Sequence, residues 1–163
     1  MAKRVYIETS IPSFYHESRP EPEMVARRNW TRQWWDEQRR HYELVTSLAV
    51  HEELKRGEYA SKADALGLLA GVPLLAAPDV IVEIADTYIR HRVMPDDPRG
   101  DALHLALASF HRCHFLLTWN CTHLANANKF EHIRHLNALL GLPVPALVTP
   151  VELLMWEGDE DEA

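Results

Sequence analysis

The chain has 163 residues, 47% of them hydrophobic and 25% charged, with a formal net charge of −7 and two cysteines. That length suits one domain that buries a core without cross-links, and two cysteines are too few for a disulfide framework. The acidic balance argues against a protein that coats nucleic acid through bulk charge, although a local basic patch can still steer a phosphate backbone.

Lys3 and Arg4 precede no long apolar run, so neither a signal peptide nor a membrane span is expected, and a reducing cytoplasm is the expected compartment. Val5-Tyr6-Ile7 is a short apolar, β-rich run that Glu8-Thr9-Ser10-Ile11-Pro12 interrupts, which reads as a buried strand. Residues 21–41 have a helical pattern, with prolines at the start, Met24, Ala26, Trp30, Trp34 and Trp35 on the apolar side and arginines on the other. This helix is expected to form a side arm or a dimer contact. Leu44-Val45-Thr46-Ser47 reads as a second strand, with Ser47 capping a short helix to about Arg56 that Gly57 ends. A helix follows over 62–70, then a weak strand at Leu74-Leu75-Ala76 and a helix over 79–92.

The segment 95–100 carries strong turn chemistry, and Asp101 opens a helix that is apolar almost all round. Phe115-Leu116-Leu117-Thr118 reads as a fully buried strand. A long helix is expected over 124–140, stopped by Gly141 and Pro143. Ala146-Leu147-Val148 is a last short strand, and Thr149-Pro150-Val151-Glu152 opens a final turn. Alternating strands and helices imply a three-layer α/β/α sandwich on a parallel sheet of about four or five strands. Residues 1–156 form one domain and 157–163 an acidic, disordered tail.

Ligands of such sheets bind beyond the carboxyl ends of the strands. Glu8 follows the first strand, Glu53 lies in the helix leaving the second, and Asn120 follows the strand at 115–118. Asp101 opens the apolar helix. Gathered carboxylates repel one another, and a hard divalent cation removes that conflict. Oxygen donors without thiolates suit Mg²⁺ or Mn²⁺. Glu8, Glu53 and Asp101 are the candidate metal ligands, with Asn120 assisting as a fourth catalytic position. Glu52 is the competing acid beside Glu53 and is expected on the solvated side.

The runs Val5-Tyr6-Ile7-Glu8-Thr9-Ser10-Ile11-Pro12-Ser13-Phe14-Tyr15, Val50-His51-Glu52-Glu53-Leu54, Gly100-Asp101-Ala102-Leu103-His104-Leu105-Ala106-Leu107-Ala108 and Leu116-Leu117-Thr118-Trp119-Asn120 resemble a PIN-domain protein. They are similar to the VapC-like ribonuclease toxins of toxin–antitoxin pairs. The resemblance implies a Mg²⁺- or Mn²⁺-dependent endoribonuclease acting on RNA, an antitoxin partner and a homodimer. Its first three acids fall on Glu8, Glu53 and Asp101. Its fourth position is Asn120 here, and its first acid is usually Asp, so Glu8 and Asn120 depart from the pattern. Those departures favour one firmly held metal over two. They also leave a second class open, a weakly active or non-catalytic PIN-like module that binds RNA or protein. A phosphatase acting on small phosphates is a third class.

Ser10 and Thr118 are placed to orient the acids or metal waters. His104 is expected as a packed, hydrogen-bonded histidine. His111, Cys113, Cys121 and His123 have spacing too irregular for a structural zinc site. His132 and His135 read as surface residues, and Asn126 and Asn128 as polar helix surface. Trp30, Trp34 and Trp35 suit core or dimer packing. Arg28, Arg32 and Arg39 share roughly one helical face; Arg28 and Arg32 are the candidate RNA contacts.

Overall fold

The computed structural model describes residues 2–96 and 100–158. The central positions of the 95–100 turn and residues 159–163 of the acidic tail lie outside them. Four strands, β1 (Arg4–Ile7), β2 (Glu43–Val45), β3 (Phe115–Leu117) and β4 (Ala146–Val148), form one sheet in the order β2-β1-β3-β4. Every pairing is parallel, with Tyr6 beside Val45 on one side and Leu116 on the other. Parallel neighbours need crossover connections, and helices supply them. The seven α-helices among the described residues are α1 (Ser10–Tyr15), α2 (Pro22–Gln33), α3 (Leu48–Lys55), α4 (Lys62–Leu68), α5 (Val80–Arg90), α6 (Gly100–Phe110) and α7 (Phe130–Leu140). They flank the sheet in a three-layer α/β/α arrangement. None of the described helices is long and apolar enough to cross a membrane.

Strand β1 lies between two partners and is covered on both faces, so Val5, Tyr6 and Ile7 are all fully buried. The continuous apolar run in the sequence is the mark of that position. Helix α6 is the most enclosed helix, with Asp101, Ala102 and every residue from His104 to Ser109 buried. It packs along α5 and also meets α3 and β3.

Three expectations needed correction. Leu74 makes one parallel bridge to Thr46 and no strand. Pro73 precedes it and Pro78 closes the segment, and proline brings no N–H to extend a ladder. The helix expected over 124–140 starts at Phe130. Asn126 turns its side chain back to accept the Asn128 N–H at 3.0 Å and sets a tight turn, Ala127–Lys129, ahead of it.

The third correction concerns 21–41. After α2 the chain widens into a π turn, Trp34–Gln38, and then tightens over Arg39–His41. Adjacent helical residues point about 100° apart, yet Trp34 and Trp35 are both buried. The wide turn brings both rings inward, Trp34 against Trp35 and Tyr42. This half of the segment is core, not a side arm. Trp34→Ala should therefore cost about 3–5 kcal/mol, read as a lower urea midpoint. A loss under about 1 kcal/mol would place the segment outside the core.

Candidate active site

The carboxyl edge of the sheet gathers the four positions in two groups, one around Glu8 and one around Asp101, with Glu53 between helices. Glu8 continues the β1 ladder by one bond, its N–H donating to Leu117 O at 3.2 Å. Its side chain turns inward and is 6% exposed. One oxygen, Oε2, accepts from the Ser10 N–H (3.0 Å), the Ser10 hydroxyl (2.6 Å) and the Thr118 hydroxyl (2.8 Å). Burial pushes the Glu8 carboxyl above its ordinary range, opposed by the charge of His104 and by these donors. Ser10 and Thr118 thus hold the Glu8 carboxylate directly.

Glu53 takes a different solution. Its Oε1 meets His104 Nε2 at 2.6 Å, and its Oε2 accepts from the Thr9 hydroxyl at 2.8 Å. His104 is 1% exposed, and its Nδ1 lies 2.7 Å from the Tyr6 hydroxyl. Tyr6 in turn sits 2.7 Å from Ser47 Oγ, which accepts the Val50 N–H and caps α3. Helix α6, strand β1 and helix α3 are tied by one buried polar chain. Burial alone would lower the imidazole pKa, but the Glu53 carboxylate outweighs it and holds the pKa above the ordinary value. Burial also raises the Glu53 carboxyl, and the His104 and Thr9 bonds reverse that, leaving it below its ordinary range. The first residue of α6 is packed as closely: a Cβ on Gly100 would run into Glu53 Oε1. Glu52 is exposed, as expected.

Asp101 is 6% exposed, and burial raises its carboxyl pKa. Asn120 Nδ2 donates to its Oδ1 at 3.0 Å. The Asn120 amide oxygen accepts the His123 N–H at 3.0 Å, so both ends of this amide are committed and its orientation is fixed. Asp101 Oδ2 is buried with no hydrogen-bond partner among the described residues. Such an atom calls for an ion or water to complete it.

These oxygens divide sharply. Glu53 has both occupied, Glu8 accepts its described hydrogen bonds on Oε2 alone, and Asp101 leaves Oδ2 without a donor. Among the described residues no three His, Cys, Asp or Glu side chains already converge as a metal-binding group. Mg²⁺ is commonly held by one or two carboxylates and several waters. Asp101 Oδ2 fits that manner of binding, and Glu53 would join only by giving up a present partner.

Sequence reasoning missed Thr9 and Tyr6, and it placed His104 in the core without its carboxylate. A histidine one turn after an acid on an apolar helix was the available signal. The candidate RNA contacts are engaged apart from the acids: Arg32 donates to Tyr15 O at 2.7 Å, and Arg28 reaches Asn29 at 3.4 Å. Arg27, on the same helix, lies over the rings of Phe14 and Trp119 and reaches Trp119 O. His132 and His135 are exposed. No known family profile matches the chain, and no curated protein matches its sequence.

The ion pair carries a pH signature. Glu53 stabilises the fold above its unfolded pKa, and that share is lost as pH falls through its lowered folded value. His104 stabilises below its unfolded pKa of about 6.5, and that share is lost as pH rises through its raised folded value. His104→Phe should cost about 3 kcal/mol, because it strands Glu53 and Tyr6. Denaturation at several pH values should also show the decline that follows the raised His104 pKa vanish in this variant. An unchanged alkaline slope would remove His104 from that account.

Proposed function

We propose that the chain is a metal-dependent endoribonuclease of the PIN-domain type, the toxin of a toxin–antitoxin pair, working in the cytoplasm. The observation that carries this reading is the buried Oδ2 of Asp101 at the carboxyl edge of a parallel sheet, which has no hydrogen-bond partner among the described residues. A divalent cation there, Mg²⁺ or Mn²⁺, would neutralise the carboxylates and polarise a phosphoryl oxygen. The protein's own groups have clear tasks. Ser10 and Thr118 hold Glu8 through its Oε2. Asn120 fixes Asp101. His104 holds Glu53 as a compensated anion.

Phosphate chemistry also draws support from a neighbouring cavity of about 370 Å³, lined in part by Arg92, His123 and Lys129. His123 borders the acid group through its backbone bond to Asn120. Lys129 donates to Val93 O, its one hydrogen bond among the described residues, and brings a cation to the cavity wall. The motifs resembling PIN-domain ribonucleases contribute Glu8, Glu53, Asp101 and Asn120, and they point the reading to RNA, an antitoxin and a homodimer.

The second reading, a PIN-like module that binds RNA or protein without cutting, draws on the occupied oxygens of Glu53. Cleavage of structured RNA by pure protein with Mg²⁺ or Mn²⁺ separates the two. Asp101→Asn, with the fold intact by circular dichroism, should lower cleavage by more than about 100-fold, the upper end of what losing a group that merely orients a metal ligand costs. Equal cleavage by the variant would identify a contaminating nuclease.

Mn²⁺ titration tests the site without turnover. Because burial raises the carboxyls of Glu8 and Asp101, protons should displace the metal starting above the ordinary carboxylate range of about 4. No binding at about millimolar Mn²⁺ near neutral pH would leave the non-catalytic reading.

A further inference from the structure

Trp30 stands at the edge of the acid site with a ring that the fold holds but does not cover. It is 39% exposed and stacks on Trp119, with ring centroids 6.3 Å apart and planes at 25°. Trp119 is the fixed member of the pair. It is 6% exposed, its indole N–H donates to the Thr31 hydroxyl at 2.7 Å, and Phe14 packs against it. Its backbone N–H donates to Ser10 Oγ at 2.8 Å, the hydroxyl that itself donates to Glu8 Oε2. The aromatic pair is therefore joined to the first acid through one serine. Among the described residues no second ring stacks on Trp30.

A polyanion approaching this chain meets a net charge of −7 and a cluster of carboxylates. Coulombic attraction over the whole surface cannot hold it there. Nucleobase faces are neutral and stack on indoles regardless of net charge. The residues beside Trp30 also suit a nucleotide, whose phosphates a guanidinium without an acid partner can meet. Arg27 lies over Trp119 and is paired with Glu23, Arg28 has no acid partner among the described residues, and Asn29 is exposed.

We propose that Trp30 is a stacking platform for a nucleobase of single-stranded RNA flanking the acid site, with Trp119 as the fixed ring beneath it. The inference rests on the RNA reading above and adds how the strand is gripped. Stacking is strongest for purines, so the platform imposes a preference for a purine at the flanking position.

The test uses the Asp101→Asn protein in EDTA, so that nothing is cut, and fluorescein-labelled oligoadenylate and oligouridylate of roughly ten nucleotides. Oligoadenylate should bind more tightly than oligouridylate. Adding Trp30→Ala should weaken oligoadenylate binding about tenfold and erase the difference between the two. The factor should be the same at about 50 and about 200 mM salt, because a stacked base releases no counterions. Trp30→Phe should keep most of the affinity.

Affinity within about twofold of the parent in Trp30→Ala would overturn the platform, as would no oligonucleotide binding by the parent. So would a shift from dimer to monomer on gel filtration, which would make Trp30 an interface residue. Cleavage and Mn²⁺ binding by the wild-type protein report on the acids separately. RNA cleavage that survives Trp30→Ala with unchanged affinity sinks only the platform. Trp30-dependent binding without any cleavage sinks only the nuclease.

Discussion

The contact between His104 and Glu53 decides whether the rest of the site can exist. Three carboxylates share one end of the sheet, two of them almost fully buried. Like charges there repel, and a low-dielectric surround magnifies the repulsion. His104 supplies a buried group of opposite charge that acts on them all, bonded to Glu53 and acting through space on Glu8 and Asp101. It is held by Tyr6 from the middle of β1, and Tyr6 by the serine that caps α3. The helix bearing Glu53, the helix bearing Asp101 and the central strand are thus set in place by the same chain of bonds that balances the charge. Folding and charge compensation are one problem here with one solution.

The hydrogen-bond donors are distributed unequally. Among the described residues, Glu8 Oε2 takes three and each Glu53 oxygen takes one, while Asp101 shares a single amide and its Oδ2 has no partner. An unpaired buried oxygen is costly unless something arrives to complete it. Among the described residues, Asp101 Oδ2 is the carboxylate oxygen of this site that is buried without a partner. That localisation suits one cation with a mostly aqueous coordination sphere better than a pair of cations in a cage of protein oxygens.

Much of this was legible in the sequence, and the limits follow from the physics of each element. Val5-Tyr6-Ile7 and Phe115-Leu116-Leu117 declared themselves because strands buried on both faces must be apolar throughout. The acids were found by position, as polar residues immediately after such runs or opening a helix. What escaped notice depended on partners distant in the chain. His104 looks like any histidine on an apolar helix until Glu53, 51 residues away, is brought to its Nε2. Tyr6 reads as core until its hydroxyl is placed between His104 and Ser47. The turn at Ala127–Lys129 rests on one Asn126 side-chain bond that helical periodicity does not register. The π turn exists because two adjacent indoles both need burial, a demand of packing rather than of propensity.

Ser10 has one further consequence. Its hydroxyl donates a hydrogen bond to Glu8 and accepts one from the backbone N–H of Trp119. A single oxygen thereby serves as the pivot between a charged group and an aromatic wall. Any tilt of the Trp119 peptide lengthens one of these bonds and loosens its hold on the carboxylate. The wall and the acid are mechanically geared, and whatever leans on the indoles will be felt at Glu8 as a change of aim.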